Sequence, residues 1–242
     1  DEPASELLKR IAAEKVRLVK TGKMRDPLTG EPDNAGSEVP HLPASWEHVN
    51  VAEIAYLRSG VALAHGEEQP TGDIPYLKVA DLRLAENDQG ITTSSRFVSS
   101  GRIGDVIVAG SIVFPKRGGA IATNRKRVSR VDIVGDSNLM AMKPYFDETM
   151  PFIEMWFNSF DLWVLNSGTS VPQINNKDIY PLELLLPPLA EQHRIVAKVD
   201  ELMALCDRLE ASLATADATR QRLLEALLHE TLTPGDDQEA AA

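Results

Sequence analysis

The chain has 242 residues, 43% hydrophobic and 25% charged, the balance of a globular protein with a core. Its only cysteine, Cys206, excludes a disulfide framework, and no stretch approaches the ~20 apolar residues of a membrane helix. The formal charge of −11 argues weakly against nucleic acid as a partner, but binding follows the local field.

The N-terminus, Asp1-Glu2-Pro3, has no basic segment leading into an apolar one and no methionine. No secretory leader is expected, and the chain is read as processed, trimmed or part of something longer. A reducing, cytoplasmic setting follows from the cysteine usage. Residues 4–22 read as a helix, with Leu8, Ile11, Leu18 and Val19 as its apolar positions, Ser5 as a candidate N-cap and Gly22 as the stop. A linker rich in Pro, Gly, Asp and Asn follows, over 24–41.

From 42 to 188 the pattern is mixed. Short strands are predicted over 74–79, 106–114, 127–134, 139–143 and 182–186. Ile153, Trp156, Phe157, Phe160 and Val164 repeat at helical spacing after Pro151, and Trp156 and Trp163 read as core rather than as a base-stacking platform. From Leu189 to 232 one long helix is predicted. Ile195, Val199, Leu202, Cys206, Leu209, Leu213, Ala216, Arg220, Leu223 and Leu227 alternate by four and three, and only Arg220 among them is large and polar. That is a coiled-coil seam, ~65 Å long. The first helix spans ~28 Å, so the seam needs a partner that this chain lacks. Residues 233–242 read as a frayed tail. The fold class is α+β: one mixed domain, a helix before it, and a long coiled-coil helix after it.

Catalytic signatures are missing. There is no phosphate loop, no G-x-G-x-x-G and no G-x-S-x-G. The five histidines form no zinc pattern, no lysine has an acidic residue two before it, and no Asn-Pro-Pro-Tyr is present. Glu191-Gln192-His193 opens the last helix, where Glu191 suits the helix dipole. A first-turn role is favoured there over a catalytic one.

What remains is binding chemistry. Between Gly101 and Arg130 stand seven basic residues and one acid, Asp105. "FPKRGGAIATNRKRV" places Lys116, Arg117, Arg125, Lys126 and Arg127 around a Gly-Gly, with Thr123 and Asn124 between. Cations neutralise phosphates, Arg forks onto guanine, and Asn or Gln onto adenine. The plainer alternative is a solvated hairpin with a basic tip. "NSGTSVPQINNKD" offers Ser170, Gln173, Asn175, Asn176 and Lys177, or else an ordinary polar turn.

"LPPLAEQHRIVAKVDELMALCDRLEASL" (186–213) resembles the conserved spacer of the specificity subunits of type I restriction–modification enzymes. Residues 1–23 resemble the other conserved segment of that family, which leads into a target recognition domain. "LPASWEHVNVAEIA", "GDIPYLKVADL", "GDVIVAGSIVFPKRGG" and "GTSVPQINNKDI" resemble landmarks of the domain itself, here 42–188. The resemblance implies a non-catalytic subunit that reads one half of a split target in double-stranded DNA. It implies methylation subunits carrying S-adenosylmethionine, restriction subunits using ATP and Mg, and no cofactor in this chain. It also implies a second recognition half, from the same chain or a homodimer, packed along Ile195, Val199, Leu202, Leu209, Leu213, Leu223 and Leu227. Two other readings stay open: an enzyme with residual chemistry of its own, and a coiled-coil interaction or assembly protein that does not bind DNA.

Overall fold

The computed structural model describes residues 2–21, 42–167 and 170–232. The linker and tail assigned from sequence, and Gly22, lie outside them. The chain divides into two compact units, Asp1–Arg194 and Ile195–Ala242. Among the described residues no helix is long and apolar enough to cross a membrane.

The first unit opens with α1 (Ala4–Lys20), whose buried stripe is Ala4, Leu7 and Ile11. The predicted N-cap Ser5 lies within the first turn. Pro3 caps instead, in extended conformation and without a side-chain bond. The backbone N–H of Ala4 donates to Ser45 O at 3.0 Å, and the Arg10 guanidinium lies 4.5 Å from the centroid of the Phe146 ring. These contacts tie α1 to the domain it precedes.

Three small sheets follow. β1 (Glu47–Asn50) pairs antiparallel with the last strand, β9 (Glu183–Leu186). After the single turn α2 (Val51–Ile54) comes β2 (Ala55–Ser59), which joins a four-stranded sheet. Its order is β2, then β8 (Leu139–Pro144), β5 (Ile112–Pro115) and β6 (Arg127–Val128), all antiparallel. β3 (Ile74–Leu77) stands between β4 (Phe97–Val98) and β7 (Val134–Gly135), and runs parallel to β7. The core clusters Leu77, Ile91, Ile107, Val113, Ile133 and Leu139 between the last two sheets.

Several predicted elements shorten. The strand over 106–114 keeps only its end, because Gly110 at φ +74° turns the chain; Ile107 makes a single bridge to Ile133. The strand over 127–134 splits into β6 and β7. Strands β1, β2 and β4 were not visible as apolar alternations. The irregular stretch from 78 to 95 is held by two buried side chains instead of a ladder. The Asp81 carboxylate accepts from the Lys78 and Ser95 N–H groups and from Ser94 Oγ. Asn87 donates to Asp81 O and Thr93 O and accepts from Thr92 N. Buried backbone needs such partners wherever no strand supplies them.

The helix predicted after Pro151 is α3 (Met150–Asn158), and it stops before Phe160 and Val164. Ser159 N and Phe160 N tighten the last turn onto Trp156 O and Phe157 O, and the N–H groups of Leu162 and Trp163 go to side chains. Asn124 Oδ1 accepts from Leu162 N at 3.0 Å, and Asp161 Oδ1 accepts from Trp163 N at 2.9 Å. Asn124 is the only non-glycine residue with positive φ among those described, at 50°. Asn tolerates that region well. Its Oδ1 also accepts from Lys126 Nζ at 2.9 Å, and that ammonium donates to Phe160 O at 2.7 Å above the Phe157 ring. This clasp fixes two loops to each other. Trp156 packs edge-on against Phe160. Trp163, expected in the core, is 46% exposed.

α4 (Asn176–Ile179) precedes β9, and α5 (Leu189–Leu232) closes the chain. At the start of α5 the Glu-Gln-His triplet anchors the helix. Trp46 Nε1 donates to Glu191 Oε2 at 3.0 Å. Gln192 is fully buried and its Nε2 donates to Pro187 O at 2.8 Å, while His193 is exposed, with its Nε2 3.4 Å from Glu148 O. In the second unit Ile195 and Val199 are half-buried, whereas Leu202, Leu209, Leu213, Leu223 and Leu227 are each between 49% and 66% exposed.

Two stability measurements follow. Gln192→Ala strands a buried carbonyl and is expected to lower stability by about 1–3 kcal/mol in urea denaturation. His193→Ala is expected to change it by less than about 0.5 kcal/mol. Burial pulls the Lys126 ammonium down to about 8 from its ordinary 10.5. The unfolded chain therefore holds this proton more tightly, so stability rises with pH between about 8 and 10.5. Lys126→Met is expected to remove that rise, read as denaturation midpoints across the same pH range.

Candidate nucleic-acid interface

The two segments singled out from sequence meet. Beyond β5, Lys116 to Gly118 run beside Pro172 to Ile174. Gly118 N donates to Pro172 O at 2.8 Å, and Ile174 N donates to Lys116 O at 2.9 Å. Arg117 and Gln173 form an antiparallel bridge, and Arg117 Nη2 donates to Gln173 Oε1 at 3.1 Å. Gly118 then turns at φ +76°, where a side chain would be strained, into one 3-10 turn over Gly119–Thr123.

From Gln173 the network continues outward. Gln173 Nε2 donates to Asn175 Oδ1 at 2.7 Å, and Gln173 N donates to Asn166 Oδ1 at the same distance. Asp178 Oδ2 accepts from Asn175 N and from Ser167 Oγ, fixing the first turn of α4. Ser170, Asn176 and Lys177 are exposed on this side. Lys116 Nζ donates to Ser59 Oγ at 2.9 Å. Burial, and secondarily the Arg117 charge, push its pKa down. No described carboxylate pairs with Lys116, Arg117 or Arg125. The result is a surface of hydrogen-bonded amides and cations that also includes the Asp178 carboxylate, which bonds Asn175 and Ser167 rather than a cation.

The other half of the basic segment is used differently, which corrects the picture of one basic loop. Lys126 is 6% exposed, and its ammonium is spent in the clasp. Asn124 Oδ1 already accepts twice, and the Thr123 hydroxyl donates to Ala120 O at 2.7 Å. Arg125 is half-buried, with Nη1 3.5 Å from Leu82 O. Arg127 donates to Lys126 O, lies 3.6 Å from the Asp88 carboxylate, and has a buried Nε without a partner. Arg127 and Arg130 line a polar cavity of about 380 Å³ together with Asp88 and Glu154. These two carboxylates were not anticipated, and they temper the charge there. Ser59 and the Arg117–Gln173 pairing also went unseen, because nothing local in sequence joins residues 56 positions apart.

Among the described residues no group of three or more His, Cys, Asp or Glu could hold a metal ion.

Known proteins bear on this arrangement. The family model for the type I restriction modification DNA specificity domain matches residues 43–215. The Escherichia coli type I restriction enzyme EcoAI specificity subunit is 32% identical over 264 residues, covering all of this chain and 42% of that subunit. The EcoEI specificity subunit, also from Escherichia coli, is 31% identical over 255 residues with the same coverage. The chain thus spans less than half the length of these curated relatives. The crystal structure of the HsdS subunit from Thermoanaerobacter tengcongensis shares the fold at a TM-score of 0.60 and 19% identity, over 95% of this chain and 52% of that one. A chain from a structure of type I R-M system assembly and conformational transition does so at 0.63 and 20% identity, over 93% and 52%. With the match running from β1 past the first turns of α5, this chain belongs to the family of type I restriction modification DNA specificity domains.

Proposed function

We propose that the chain is the non-catalytic DNA-reading half of a type I specificity subunit, and that it recognises one half of a bipartite duplex target. The observation that carries this is the joined surface at Arg117 and Gln173. There a guanidinium and an amide are bonded side by side, next to Lys116, with no described carboxylate pairing with either cation. Such groups suit phosphates and base edges. Arg117, Lys116, Arg125 and Lys177 neutralise phosphates, while Ser170, Gln173, Asn175 and Asn176 stand where base edges are read. Arg127 acts at the margin, and Lys126, Asn124 and Thr123 hold the surface in shape.

The exposed leucines of α5 support a partner role. A second recognition half covers them, supplied by the same longer chain or by a homodimer, and α5 then sets the spacing between half-sites. Methylation subunits carrying S-adenosylmethionine, and restriction subunits using ATP and Mg, assemble on this scaffold. The cofactors belong to those subunits, and the setting is cytoplasmic. The same leucines also favour the alternative of an assembly protein without DNA binding, and one experiment separates the two.

The full chain, assembled with methylation subunits, is incubated with a random-sequence duplex pool, and the bound fraction is sequenced. Enrichment of a half-site is expected; absence of any shift would sink the DNA-reading assignment in favour of the assembly protein. Arg117→Ala is expected to weaken binding and to reduce the slope of log affinity against log salt by about 1.

A further inference from the structure

We infer that Trp163 is a DNA-contacting residue, an indole that presses into a groove of the duplex beside Arg117 and Gln173. The inference rests on the reading of that surface as a DNA interface and adds an apolar contact to it. The chain has three tryptophans. Trp46 is half-buried and donates its indole N–H to Glu191, and Trp156 is half-buried against Phe157 and Phe160. Trp163 differs on both counts. It is 46% exposed, and its indole N–H has no partner among the described residues. Its neighbour Val164 is 79% exposed, and Val171, next to Pro172, is 54% exposed.

The position is held firmly. Asn124 and Asp161 take the amide N–H groups of Leu162 and Trp163, and Asn166 N donates to Trp163 O at 3.2 Å. Asn166 Oδ1 then accepts from Gln173 N, and Gln173 accepts from Arg117. A continuous run of hydrogen bonds therefore ties the turn that carries Trp163 to the segment that carries the cation and the amide. Proteins that bind the minor groove frequently insert an apolar side chain at a base step, beside Arg, Lys, Asn or Gln that read the groove. A docking site for protein accepts Trp and Arg but is depleted of Lys. Here the segment tied to the turn carries Lys116 and Arg117, with no described carboxylate pairing with them, and the neighbouring amides, while the carboxylates of Asp161 and Asp178 accept from Trp163 N and Asn175 N. Duplex DNA is the occupant that matches both the ring and the charges. The ring face meets sugar and base edge, and the indole N–H donates to a phosphate or base acceptor.

The test uses the full chain assembled with methylation subunits and a bromouracil-substituted random duplex pool. Photo-cross-linking is expected to mark the peptide containing Trp163. Trp163→Ala is expected to weaken duplex binding about tenfold, and Trp163→Phe to keep most of the affinity. Both variants are checked by thermal melting, which a half-exposed ring leaves nearly unchanged. If Trp163→Ala binds like the unaltered chain while Arg117→Ala is weakened, the inference fails and the DNA-surface reading stands. If neither variant is weakened, the surface reading itself fails. If Trp163→Ala loses the methylation subunit but keeps the duplex, the indole is a protein contact and the inference is overturned.

Discussion

The pairing of β1 with β9 is the constraint on which the domain depends. Glu47 to Asn50 lie opposite Glu183 to Leu186, although more than a hundred residues separate them in the chain. The cost of closing so long a loop grows only slowly with length, so a short ladder suffices once the core between its ends is formed. The closure brings Trp46, just before β1, to Glu191, just after β9. It also sets α1 beside the entry strand through Ala4 and Ser45. Entry and exit are thereby fixed, and everything between them is free to be mostly loop.

That freedom has a price in buried backbone, and side chains meet it. Asp81, Asn87 and the Asn124–Lys126 clasp each satisfy several main-chain groups where no strand is available. The same economy explains the candidate interface. Lys126 looks like a ligand group in sequence, being one of three consecutive cations, but the fold uses it as a rivet. Arg117 resembles it in sequence and is left exposed with an amide alone. Which cation serves which purpose depends on what lies across from it, in this case Phe160 or Gln173.

Much of this was legible in the sequence where the signal is periodic or local. The long helix, the helix from residue 4, the strand cores near 74, 139 and 183, and the two polar segments all follow from spacing and composition. Glu191-Gln192-His193 reads correctly as a helix start because prolines precede it. The rest depends on residues far apart. Strands β1 and β2 are too short and too mixed to alternate visibly, and they exist because β9 and β8 lie beside them. Helix α3 is not resumed beyond Phe160, where Asn124, from another segment, accepts from Leu162 N, and Trp163 stands exposed just after it. Asp161 is local to that stretch, but Asn124 lies outside any window of sequence around residue 160.

The adjacency of β1 and β9 has a wider consequence. A module whose first and last strands are hydrogen-bonded neighbours presents one narrow doorway to whatever flanks it. The loops behind that doorway can lengthen, shorten or be replaced wholesale while α1 and the start of α5 keep their footing. Only the joints that tie loop to loop, such as Arg117 with Gln173, need to change together. New lettering can be set into such a frame without recasting it.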